Sequence, residues 1–325
     1  MKKILPVIVS ALILCSSAAC ADGGDSTAVS KAVNDGAITI IDDTDKSSQG
    51  SETDNTDTSS QIDEANLPSK VYLRDYDGKN YVTAVKRQAF GDCWSFGIAA
   101  AAESSYLYAN DLGIPVGELN DEGLYKDNGN VNFSEKYLSW YVYHRITEED
   151  VTPGKIRASQ VGEGYNIDEA EGINPNVAYI MGGALTSGIN MFASGFGPVE
   201  ESVTVNGAYP YSYTNKNIPN DVDYEDYSQS GDWSISLNSE YRNAPISAYL
   251  RNGNLLPNPA STDAEGNYIF NENGVRAIKS EIANGRAVAV TALVFGRMNY
   301  DNWAAYSTDD NRNHVVTIIG YDDNY

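Results

Sequence analysis

The sequence predicts an α+β domain, helical in the first part of its ordered region and β-rich in the last. Three stretches carry that prediction. Residues 97–102 are an alanine-rich run, opened by Phe96, that reads as a buried helix. Between Ser134 and His144, Tyr137, Leu138, Tyr141 and Val142 share one helical face, with Ser134 placed to cap it. Beyond residue 286, two apolar runs rich in β-branched side chains, 287–295 and 314–319, read as buried strands. Frequent Gly, Asn and Asp, with 23 tyrosines, suit a loop-rich domain that faces water.

The chain begins with a targeting pattern. Lys2-Lys3, an apolar run from Ile4 to Leu14 and small residues up to Ala21 read as a secretory signal peptide, residues 1–21. That run is too short to span a membrane comfortably. Two processing readings are open. Ala19-Cys20-Ala21 fits ordinary signal-peptidase cleavage, which would leave Asp22 first. Ser17-Ala18-Ala19-Cys20 instead fits a lipobox that lacks its usual leucine, and it would make Cys20 the anchor of a lipoprotein. Either way the product is expected to be secreted or held at the cell surface.

Residues 22–66 hold eleven acidic side chains and two lysines, a net charge of −9, and read as a disordered acidic linker. Its one apolar patch, Ala37 to Ile41, is expected to form an isolated strand at most. A single domain is expected over 67–325, long enough for a full-sized core. Formal charge over the whole chain is −23, which argues against nucleic acid or an anionic membrane surface as partner and favours solubility.

Within the domain, residues 71–75 read as a short strand followed by a turn at Asp77-Gly78. Asp75, Asp77 and Asn80 lack the closing glutamate that a calcium loop needs, so no metal or other cofactor is expected. The helix opening at Cys93 is expected to run to about Asn110. Gly182-Gly183-Ala184-Leu185 begins a further helix, and residues 245–250 read as a strand. Val275, Ile278 and Ile282 form the stripe of a short helix ended by Gly285.

The chemistry concentrates on one sulfur. Of the three cysteines, Cys15 goes with the signal peptide and Cys20 is lost or lipidated, so Cys93 stands without an intrachain disulfide partner. It opens a helix, where backbone N–H groups and the dipole favour thiolate, the nucleophilic form. Gln88 lies five residues before it, and its amide with the Cys93 N–H could hold an oxyanion during acyl transfer. The chain has two histidines. His314 heads a β-branched strand beside Asn313, after a polar loop, and is the expected general base. His144, near the end of an aromatic helix, is expected to be structural.

These residues carry a family resemblance. Val85-Lys86-Arg87-Gln88 with Gly91-Asp92-Cys93-Trp94-Ser95-Phe96 resembles the catalytic segment of papain-like cysteine peptidases. Residues 313–323, Asn-His-Val-Val-Thr-Ile-Ile-Gly-Tyr-Asp-Asp, are similar to the strand bearing that family's histidine. Gly182-Gly183, Gly197-Pro198-Val199-Glu200 and Tyr209-Pro210-Tyr211 follow the order seen in its bacterial members. The resemblance covers residues 67–108 and 286–323 well, 182–211 more thinly, and fades between them.

It implies a papain-like two-lobed fold, a helical lobe and a β-barrel-like lobe with the cleft between them. It further implies a secreted thiol endopeptidase acting on peptide or protein through Cys93, His314 and Gln88, with Gly182, Gly183 and Trp94 lining the substrate site. Two departures stand out. The Gln88–Cys93 interval is one residue shorter than usual. The asparagine, followed by Ser-Trp-Gly, that orients the family's histidine has no counterpart up to Tyr325, eleven residues past His314, and is expected beyond it. Two alternatives keep part of the pattern: a non-catalytic surface or adhesion module on the same fold, and a transglutaminase-like acyltransferase.

Overall fold

The computed structural model describes residues 36–42, 66–86, 88, 91–119, 125–143, 145–151, 157–163, 182–201, 246–265, 268–292, 297–299, 304–306 and 314–325. Its largest sheet has four strands in the order β11-β8-β1-β5: β11 is His314–Ile318, β8 is Val288–Ala292, β1 is Gly36–Asp42 and β5 is Leu250–Pro257. All three pairings are antiparallel. Ala289 of β8 faces Ile38 on one side and Thr317 on the other.

The β1 strand departs from the sequence reading. The apolar patch of the acidic tract is paired on both edges rather than isolated: with β5 from Gly36↔Pro257 to Asp42↔Leu250, and with β8 at Ile38↔Ala289. Two such ladders satisfy backbone groups that a lone strand would leave to water. The strand expected over 245–250 is likewise displaced, to Leu250–Pro257, because β1 supplies its partner there. Within the run expected over 287–295, Val288–Ala292 forms a strand, and residues 293–295 lie outside the described residues.

Helix α1, Cys93–Ala109, lies against this sheet and is buried on nearly every side. Small residues make that possible. A Cβ on Gly97 would come 2.4 Å from Val315 Cγ1, so β11 rests directly on the helix backbone. Thr317 Oγ1 donates to the Gly97 carbonyl at 3.0 Å across the same contact. On another face, Gly188 of α3, Leu185–Met191, lets Ile98 approach to 2.2 Å of where a Cβ would stand. Helix α2, Glu135–Tyr143, adds Tyr137, Leu138, Tyr141 and Val142 to that core, as their spacing predicts. Its cap is Ser134, whose Oγ accepts from the Tyr137 N–H at 3.1 Å.

A second core lies behind the sheet. Helix α4, Glu272–Ala283, turns Ile278 and Ile282 onto Val288 and Ile318, with Val71, Leu73 and Tyr321 around them. Asn271 caps it through bonds from the Asn273 and Gly274 N–H groups. Gly285 ends it at φ +80, with the Tyr108 ring 2.3 Å from the position a Cβ would take. Alternation along β8 and β11 thus splits the side chains between two cores: Ala289 and Val315 face α1, while Val288 and Ile318 face α4.

The remaining strands pair in twos. β2, Lys70–Tyr72, pairs with β12, Gly320–Asp322, and β3, Lys79–Asn80, pairs with β4, Ile114–Pro115. The hairpin of β6, Ala260–Thr262, with β7, Tyr268–Phe270, and that of β9, Arg297–Asn299, with β10, Ala304–Tyr306, complete the set. Asp77 and Gly78 adopt positive φ, 52 and 77, in the turn expected there.

Because β5 is held in the large sheet through β1, deleting residues 1–65 is expected to raise amide hydrogen exchange across residues 250–257 by about tenfold or more. Unchanged protection there would show that β5 keeps its order without β1.

Candidate functional site

Cys93 is the first residue of α1, and Asp92 sets the turn into it. The Asp92 carbonyl accepts from the Ser95 N–H at 2.9 Å and from Ser95 Oγ at 2.8 Å. The wholly buried Asp92 side chain accepts from Ser139 Oγ of α2 at 3.4 Å, which ties the start of α1 to its neighbouring helix. Cys93 keeps 8% of its surface exposed and forms no disulfide among the described residues. The free N–H groups of the first helical turn surround such a sulfur with partial positive charge.

His314 opens β11, one residue before the Val315 side chain that meets Gly97. Cys93 precedes Gly97 by one helical turn, about 6 Å of rise. The residues that carry thiol and imidazole therefore open two elements that pack on one another, although 221 residues separate them in sequence. His314 is half-buried, and desolvation lowers its pKa from the ordinary 6.5. The neutral imidazole that results is the form able to accept a proton at pH 7.

Gly182 and Gly183 lie beside the cysteine. A Cβ on Gly183 would stand 2.4 Å from Trp94 Nε1, so only glycine fits over the indole, which is itself fully buried. Gly182 has φ +71, and its Cβ position is 4.0 Å from the Gly91 carbonyl. The Tyr143 hydroxyl donates to the Gly182 carbonyl, and its ring meets Trp94 edge-on at 6.1 Å. Gly183 itself is exposed, leaving backbone open to solvent next to the thiol. Gln88 is partly exposed, two residues beyond the buried Lys86. His144, Asn313, the Tyr209-Pro210-Tyr211 segment, Cys20 and the signal region fall outside the described residues.

One charged group at this site had no role in the sequence reading. Lys86 Nζ, on a side chain 10% exposed, donates to Glu103 Oε1 of α1 at 3.0 Å, to Glu135 Oε1 of α2 at 2.5 Å and to the Phe133 carbonyl at 3.1 Å. Glu103 also accepts from Thr83 Oγ1 at 2.5 Å and from the Phe133 N–H at 2.7 Å. Burial works against the lysine's charge, but Glu103 and Glu135 outweigh it and raise its pKa. Glu135 goes the other way: burial, reinforced by Glu103 and Glu201, outweighs Lys86 and pushes it from 4.5 up to about 8. A sequence signal did exist, since a glutamate inside an alanine-rich buried helix demands a partner.

Among the described residues no group of three or more His, Cys, Asp or Glu side chains is arranged to hold a metal ion, and no helix is long and apolar enough to cross a membrane. Compared with family models, curated proteins and solved structures, the chain shows no significant match.

Gly183→Ala is expected to destabilise the protein by about 1–3 kcal/mol, because the new methyl overlaps Trp94. Gly117→Ala, where nothing lies within 4 Å, should stay within about 0.5 kcal/mol of wild type. Urea midpoints compare the two. A second expectation concerns pH. Glu135's folded pKa exceeds its unfolded one, so its contribution to stability is complete below pH 4.5 and is lost as pH rises through about 8. The urea midpoint should therefore fall between pH 6 and pH 9, and Glu135→Gln should flatten that fall.

Proposed function

We propose that this chain is a secreted cysteine peptidase of papain-like architecture that cleaves peptide bonds through an acyl-enzyme. The observation that supports the reading is that β11, which His314 opens, packs on α1, which Cys93 opens, with Val315 against Gly97. Secretion rests on the N-terminal sequence pattern, and the peptidase assignment on the motifs around the two residues.

His314 takes the Cys93 thiol proton, and the thiolate attacks the scissile carbonyl carbon. The new C–S bond places negative charge on the carbonyl oxygen, which the Cys93 N–H and the Gln88 amide stabilise. As the C–N bond breaks, His314 returns its proton to the departing amine. Water, deprotonated by His314, then opens the thioester and frees the acid and the thiol. The exposed Gly183 backbone lies where an extended peptide would pair its main chain, and the missing side chain permits close approach. Trp94 supports that floor from below.

An epoxide reagent for papain-type thiols is expected to label Cys93 in the full chain, and Cys93→Ser should abolish labelling. His314→Ala should lower kcat by at least about a hundredfold. Because burial keeps the imidazole pKa below 6.5, the acid-side decline of kcat/KM should set in only below that value. Labelling that survives Cys93→Ser, or turnover unaltered in His314→Ala, would overturn the assignment.

A further inference from the structure

The buried Lys86 cluster bears on the acyl-transfer site through its place in the chain. Lys86 stands two residues before Gln88 and seven before Cys93, and its ammonium reaches into the angle between α1 and α2. Glu103 sits ten residues into the helix that Cys93 opens, and Glu135 lies in the first turn of α2. The chain that leads to the oxyanion donor is thus pinned to both helices by one cation.

The cluster's charge does not balance if every carboxyl is ionised. Facing Lys86 and Glu135 are Glu103 from α1 and, beyond α3, Glu200 and Glu201; Thr83 and Asn132 are the neutral neighbours. Glu200 Oε2 accepts from the Asn132 N–H at 3.1 Å, and Glu201 accepts from the Asn132 side-chain amide. Glu135 Oε1 accepts from Lys86, but Glu135 Oε2 is buried with no donor among the described residues. An ionised carboxylate oxygen left so would lose its hydration without compensation, whereas a protonated carboxyl meets a far smaller penalty.

Resting on the peptidase reading above, we propose that Lys86 is a positioning residue for Gln88, locked between Glu103 and a protonated Glu135, and that ionising Glu135 releases the lock. With Glu135 neutral, Lys86 faces one carboxylate fewer and keeps Glu103 as its ion-pair partner. With it ionised, a second carboxylate on Lys86 faces Glu103 and Glu201, and the pocket relieves this repulsion by admitting water. The tether on the oxyanion donor then slackens. Burial holds the Glu135 proton into the neutral range, so release falls on the alkaline side of physiological pH.

The test compares two reactions of Cys93 in the full-length protein. Hydrolysis of a peptide amide needs an oxyanion donor, whereas alkylation by iodoacetamide needs the thiolate alone. In Lys86→Met, kcat for the amide should drop about 10–100-fold with KM changed less than about threefold, and the alkylation rate should stay within about threefold. Should that variant fold poorly, Lys86→Met with Glu103→Gln removes both buried charges, and the same split is expected.

In wild type, kcat should fall more steeply than alkylation accounts for between pH 7 and pH 9.5, and Glu135→Gln should shift that fall upward by at least about one pH unit. If wild type hydrolyses peptides but Lys86→Met keeps full kcat, or loses alkylation in parallel, positioning of Gln88 is refuted. Superimposed pH profiles for wild type and Glu135→Gln refute the proton lock. A wild type that is labelled at Cys93 but never cleaves peptide overturns the peptidase reading instead.

Discussion

How closely other elements can approach α1 is the constraint from which the rest follows. Gly97 and Gly188 admit β11 on one side and Ile98's contact with α3 on another, and alanines fill the intervals. A side chain at either position would push its neighbour away by more than a van der Waals contact allows. The same closeness seats Val315, the neighbour of His314, one helical turn beyond Cys93. Gly97 is the position whose missing side chain lets strand and helix meet.

Burying a helix on all sides has a cost in polar groups, and the protein meets it by concentrating them. Glu103 is the charged residue wholly enclosed in α1, and it accepts three hydrogen bonds, from the Lys86 cation, Thr83 and the Phe133 N–H. Asp92 is enclosed as well and is tied to Ser139. Both contacts connect α1 to elements that frame the thiol. The polar groups of the interior thus set the position of the helix, while the apolar ones supply most of the driving force.

What could be read from sequence was local. Helix α1 ends within a residue of where its composition runs out; α2 carries the Ser134 cap; α4 stops at Gly285. Each depends on side chains a few positions apart, and the strand starting at His314 shows itself as a β-branched run. Pairing is another matter. Nothing within Ala37–Ile41 names β5 or β8 as partners more than 200 residues away, and the surrounding acidic residues argue against order. Lys86 was equally hidden, because its partners sit on two separate helices. The thiol and the imidazole could be named from their flanking residues; the contact that brings their elements together could not.

Strand β1 also governs how the chain must fold. It leaves the ribosome before any other element described, yet its ladder partners arrive only with β5 and β8, more than 200 residues later. Such long-range closure is entropically costly and characteristic of slow folding. The helices around Cys93 can assemble early from nearby sequence, while the four-stranded sheet has to wait until β11 has been synthesised. Its first-made strand is then enclosed between two of the later ones.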